Sequence, residues 1–328
     1  MSTPNESARI ASLPPDSFAN LKRAPDDAPA TSGINPDDPP WGVGAASLGW
    51  LASVVLLFMI QFFFLIPYVI LQYRGSDFHS MGEGLQSDPF AILLSIIAVI
   101  PAHLLTLGVV WAIVTRFGRR PFWETLGWSW AKNFGFWKSA GLAVALLVAG
   151  GLIAKLFNGK PTDIDMIVAS STAARYTLAF LATFTAPLVE EMIYRGLLFP
   201  ALQRWFTRLF STQNVSNPRM PGMAIAVIIV SGLFTFVHVF QYQNNFGVIA
   251  AVAMLSVTLT LVRALTRRLL PCVAIHMIFN GLQSILIIFS PYFEKPDTEQ
   301  KVSAIITQVQ IVVSGQWSVV SGFFGIHG

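Results

Sequence analysis

From residue 220 to residue 262 the chain carries no Asp, Glu, Lys or Arg across 43 consecutive positions. A helix crossing the hydrocarbon layer needs about 20 mostly apolar residues, so this stretch holds two spans joined by the polar turn QYQNN at 241–245. Charge-free runs also occupy 39–73, 89–115 and 269–293. Spans are therefore expected at about 48–70, within 89–115 with a kink at Pro101, at about 137–157 and in 269–293. A further span starts near Tyr176, passes Glu190 and Glu191 and resumes as GLLFPAL. The segment 302–328 has no formal charge but is rich in Gln and Ser, and is an eighth candidate. Lipid admits only helices or closed barrels, and these runs are too long for barrel strands. The expected fold class is all-α: a polytopic transmembrane helix bundle of 7–8 spans.

Composition agrees. The chain is 54% hydrophobic and 12% charged, about half the charge of an ordinary soluble domain. That excludes most soluble enzymes, disordered proteins and basic nucleic-acid binders, and the net charge of +4 arises from few charges overall. The lone cysteine, Cys272, rules out an internal disulfide and sits in an apolar run, as a small buried residue would. Residues 1–40, with eight prolines and six acidic residues, have too little apolar surface to offset ordering entropy. They read as a disordered cytoplasmic tail, with no signal-peptide pattern, ahead of a bundle at 45–328. Fourteen of the 21 Lys and Arg residues fall in the tail and in alternate loops, which places the N-terminus in the cytoplasm. The tail and compact loops suggest a bacterial cytoplasmic membrane.

Charged and polar side chains inside spans demand a reason. The string PLVEEMIYRGLLFPAL puts Glu191 and Arg195 four apart, acid first, the favourable order for a helical ion pair. Glu190 is rotated about 100° away and is free to face a cavity. Tyr194 shares that face, as a hydrogen-bonding group or simply as packing. Phe234 and His238 are four apart in FTFVH; His276 and Asn280 are four apart in HMIFN, and Gln283 extends their face. Counted at about 1.5 Å per residue from the span ends, Glu190, His238, His276 and Asn280 reach compatible depths. A lone intramembrane His or Asn also serves as helix–helix glue, which accounts for His103. Three spans with polar residues at four-residue spacing fit better a site that activates water: a carboxylate to take its proton, a histidine to orient it, and donors for an oxyanion.

The motifs E-E-x-x-x-R, F-x-x-x-H and H-x-x-x-N, in this order and over about 170–290, resemble those of the CPBP family. These are intramembrane CAAX prenyl endopeptidases and bacteriocin-processing proteins, also called Abi proteins. The resemblance implies an endopeptidase with Glu190 as general base and His238 binding the attacking water. It further implies His276 and Asn280 as oxyanion donors, and Glu191 with Arg195 as a supporting pair. The family is often labelled as metalloprotease. No H-E-x-x-H is present, although Glu190, His238 and His276 supply a His₂Glu set that zinc accepts. The metal-free reading, with no cofactor required, is favoured because an Asn beside His276 suits an oxyanion donor better than a ligand. The partners implied are a peptide or lipidated protein substrate, arriving from the cytoplasm or the bilayer, and membrane lipid, with no nucleic acid. Two other readings stand beside this one: a non-catalytic scaffold or bacteriocin-immunity protein of the same fold, and a proton-coupled transporter using Glu190 and the histidines as a relay.

Overall fold

The computed structural model describes residues 34–157, 163–213, 215–239, 242 and 245–293. Among them there are helices and no strand. The apolar runs become α1 (Val43–Gln72), α3 (Pro89–Thr115), α5 (Phe136–Leu156), α8 (Arg219–Val239), α9 (Phe246–Thr266) and α10 (Leu270–Phe293). Three short helices connect them: α2 (Phe78–Ser87), α4 (Phe122–Leu126) and α6 (Asp163–Ser170). Among the described residues, six helices are long and apolar enough to cross a membrane, the last of them over Leu270–Phe289. The chain is an integral membrane protein. The expected eighth span, 302–328, and the tail residues 1–33 lie outside the described residues.

Local chemistry sets the helix ends. Asp88 caps α3 by accepting the Phe90 amide at 2.8 Å, with Pro89 in the first turn, where its missing N–H costs nothing. The helix then continues through Pro101. Asn245 caps α9 by accepting the Val248 amide, so the polar turn between α8 and α9 ends on a capping residue. α1 shows Leu48, Leu51, Val55, Met59 and Phe62 outward at three- and four-residue intervals, an apolar stripe suited to lipid.

The span expected from Tyr176 begins four residues earlier, at Thr172, where the Ser171 hydroxyl accepts the Ala174 amide at 3.1 Å. This run, α7, is no uniform helix. It consists of Thr172–Phe180 (α), Leu181–Thr185 (π), Ala186–Glu191 (α), Met192–Leu198 (π) and Phe199–Thr212 (α). Every residue from 191 to 203 is buried, so α7 is the centre of the bundle. Its neighbours come close: a Cβ on Gly49 of α1 would lie 2.7 Å from Leu197 Cδ2.

Residues 35–40, NPDDPP, were expected to lie at the end of a solvated tail, yet with the adjoining Trp41 they belong with the bundle. Asp37 is buried among arginines: Oδ1 meets Arg263 Nη1 at 3.0 Å, and Oδ2 meets Arg219 Nη2 at 2.9 Å and Arg267 Nε at 3.2 Å. Arg204 bonds Asp38 at 3.2 Å, the Trp41 carbonyl at 2.7 Å, and the Pro39 carbonyl. Trp41 in turn donates its indole N–H to the Leu197 carbonyl at 3.0 Å. Low apolar content argued for disorder, but charge complementarity over seven residues outweighs it here.

Candidate active site

Both π turns of α7 have the same origin. In the first, the Ala186 amide bonds Leu181 O, five residues back, and Pro187 has no N–H to give. Ala182 O thereby loses both of its helical donors. In the second, the Phe199 amide bonds Tyr194 O and Pro200 has no N–H, so Arg195 O is left in the same way. A buried carbonyl without a donor is costly, and each finds a side chain. Asn280 Nδ2 donates to Ala182 O at 2.9 Å, and Arg263 Nε donates to Arg195 O at 3.1 Å. One turn beyond Asn280, Ser284 donates to Ala179 O and accepts from Thr183 Oγ1 at 3.0 Å. The two π turns flank Glu190 and Glu191, and such turns are frequent at functional sites.

The two glutamates have opposite settings. Glu191 is fully buried, and its Oε1 accepts from Arg195 Nη1 at 2.8 Å and from His276 Nδ1 at 2.9 Å. Arg195 spends its other donors on Thr260 Oγ1 at 3.2 Å and on the Ser256 carbonyl and hydroxyl at 3.0 and 2.8 Å. Glu190 keeps 18% of its side chain exposed, and its Oε2 lies 3.8 Å from His276 Nε2, beyond hydrogen-bond length. His276 thus stands between a locked carboxylate and an open one.

His238 Nδ1 lies 2.7 Å from the Phe234 carbonyl, which can only accept, so the proton is on Nδ1. In the neutral ring, Nε2 then carries the lone pair. Phe234 is the hub that sets this ring: it stacks on His238 with centroids 4.4 Å apart, lies under the Arg195 guanidinium at 4.7 Å, and meets Tyr194 edge-on at 5.1 Å. Tyr194 accepts the Trp50 indole N–H at 3.0 Å and so ties α1 to α7. His103 bonds Thr185 at 3.0 Å, the interhelical link expected of it. Cys272 is buried, with its thiol 3.3 Å from Leu259 O.

The structure joins Glu190, Glu191 and Arg195 of α7 with His276 of α10; His238 of α8 reaches them through the Phe234 ring, and Asn280, one turn beyond His276, bonds Ala182 O of α7. Gln283 shares their α10 face and is buried, its Oε1 unpartnered, as are Asn280 Oδ1 and Glu191 Oε2. Sequence reasoning missed Ser256, Thr260, Arg263, Ser284 and Asp37. A signal existed for the π turns: Pro187 and Pro200, each five residues after the carbonyl it leaves bare, bracket the E-E-x-x-x-R string. Among the described residues, no group of three or more His, Cys, Asp and Glu is arranged to hold a metal ion.

A prediction follows for Asn280. Asn280→Ala strands Ala182 O and is expected to cost about 1–3 kcal/mol of stability, read from unfolding in detergent. Adding Pro187→Ala restores a backbone N–H five residues after that carbonyl and is expected to recover most of the loss. No recovery would contradict the account of the first π turn.

Fold and site together define a polytopic α-helical membrane protein with a buried carboxylate–imidazole–amide cluster at its centre. Residues 172–282, from the first residue of α7 to just beyond Asn280, match the family model described as Type II CAAX prenyl endopeptidase Rce1-like. The matched segment contains Glu190, Glu191, Arg195, His238, His276 and Asn280 and supports the CAAX-type intramembrane protease family that the three motifs resemble. No curated protein and no solved structure matches the chain.

Proposed function

We propose that the protein is an intramembrane endopeptidase in which Glu190 activates water. The observation that carries this reading is the asymmetry of the adjacent glutamates. Glu191 is consumed by Arg195 and His276, whereas Glu190 is partly open and has His276 Nε2 at 3.8 Å. Of the two, Glu190 has the carboxylate that water can reach and that no arginine holds.

Water sits between Glu190 and His238, whose Nε2 lone pair accepts one water hydrogen while Glu190 removes the other as the oxygen attacks the scissile carbonyl. With a proton on each ring nitrogen, His276 holds Glu191 through Nδ1–H and offers Nε2–H to the oxyanion, and the second N–H of Asn280 Nδ2 is the other donor. Collapse of the tetrahedral intermediate breaks the C–N bond, and Glu190 passes its proton to the leaving amine. No metal takes part in this scheme. Glu191 and Arg195 act through His276 without touching substrate.

The substrate class is a membrane-associated protein or peptide, cut near a lipidated cysteine. The membrane is a bacterial cytoplasmic membrane with the N-terminus inside. The test is release of the C-terminal tripeptide from a farnesylated Cys-aliphatic-aliphatic-X peptide by purified protein in phospholipid vesicles. Release by the wild type supports the reading. Cleavage of the unmodified peptide at the same rate would remove the lipid from it.

A further inference from the structure

Arg263 is a fully buried arginine that the proposed chemistry does not use. Its guanidinium serves two elements at once. Nε donates to Arg195 O at 3.1 Å, while Nη1 and Nη2 bind Asp37 Oδ1 at 3.0 Å and Pro36 O at 3.1 Å. The Arg195 carbonyl is the one that Pro200 leaves without a helical donor, so the backbone there is fixed from outside α7. The side chain of the same residue fixes Glu191, and Glu191 fixes His276. An unbroken line of hydrogen bonds therefore joins the NPDDPPW segment to the imidazole facing Glu190.

We propose that Arg263, held by Asp37, is a positioning residue that sets the Glu191–Arg195–His276 array through the backbone of the second π turn. This rests on the peptidase reading for its kinetic effect but not for its structural one. A planar fork is required, because Nε and the two terminal nitrogens point to different acceptors. A lysine ammonium keeps the charge but cannot reach all three. Arg267 is the control: it binds the same Asp37 carboxylate at 3.2 Å through Oδ2 and lies 49% exposed.

The test compares Arg263→Lys, Asp37→Asn and Arg267→Gln with the wild type in vesicles, using the farnesylated peptide. Arg263→Lys is expected to lower kcat by about 10–100-fold, the scale on which small displacements of a reacting array act. KM should stay within about two-fold, since no substrate contact is lost. Asp37→Asn should lower kcat less, and it carries the test if Arg263→Lys does not fold. Arg267→Gln should keep wild-type kcat. A second readout needs no turnover: in ¹⁵N-histidine-labelled protein the His276 Nδ1–H resonance, bonded to Glu191, should shift in Arg263→Lys and not in Arg267→Gln. Wild-type kcat with an unmoved His276 resonance in Arg263→Lys would overturn the proposal. So would equal losses in Arg263→Lys and Arg267→Gln that track their thermal stabilities. If the wild type cleaves nothing, the peptidase reading fails by itself, and the His276 resonance still decides the positioning role.

Discussion

Glu190→Gln is expected to lower peptide cleavage by about 10²–10⁴-fold, the usual contribution of a positioned general base, while the bundle stays folded. The amide matches the carboxylate in shape but cannot accept a proton at neutral pH. Glu190 makes no short bond on which the fold depends: its approach to His276 Nε2, at 3.8 Å, is longer than a hydrogen bond. Loss of activity without loss of thermal stability is therefore the signature of this residue. Equal activity in Glu190→Gln would place the base elsewhere, and a fall in stability matching the fall in activity would make Glu190 structural.

The neighbouring glutamate should behave in the opposite way. Glu191→Ala leaves Arg195 fully buried with one Nη unpaired, and frees His276 of its only fixed acceptor. Removing one partner of a buried ion pair costs about 3–5 kcal/mol, so this variant should unfold at markedly lower temperature in detergent and also lose activity. Glu191→Gln keeps an oxygen for either partner and should lose less. The double variant Glu191→Ala/Arg195→Leu removes the stranded charge and is expected to regain stability without regaining activity. Unchanged unfolding of Glu191→Ala would contradict the buried pair. Adjacent residues of the same type would then have split into a chemical role and a structural one, which unfolding and turnover measured together separate.

The bundle was legible in the sequence wherever one physical rule dominated. The hydrocarbon core admits few charges, so the charge-free runs at 39–73, 89–115 and 269–293 contain the helices found there, and 220–262 holds all of α8 and α9 but Arg219 and the last four residues, Arg263–Thr266. The site was legible for a related reason: a charge or imidazole inside such a run stands out, and four-residue spacing puts partners on one face. Glu191–Arg195 and Phe234–His238 follow that spacing and do meet, at 2.8 Å and at a ring separation of 4.4 Å.

Other features depend on contacts between residues far apart in the chain, and no local pattern announces them. Arg204, Arg219, Arg263 and Arg267 count in the sequence as markers of orientation. In the structure they also hold Asp37 or Asp38, up to 230 positions away along the chain (Arg267 to Asp37). Asn280 looks like a plain oxyanion donor until α7 bends into a π turn and presents Ala182 O to it. Pro187 and Pro200 were visible, but their effect depends on which amides shift register, a backbone choice that packing makes. The helix of α7 starts at Thr172 and not Tyr176 because a Ser171 cap outweighs the polar composition of its first turn.

The measurement that tests the central claim most directly is a comparison of new peptide termini in membranes holding wild-type protein or Glu190→Gln at matched, folded levels. Glu190-dependent hydrolysis predicts termini that appear only with the wild type, and their sequences name the substrate and show whether cleavage follows a modified cysteine. Identical termini in the two membranes would contradict it and favour a non-catalytic membrane protein built on the same helices.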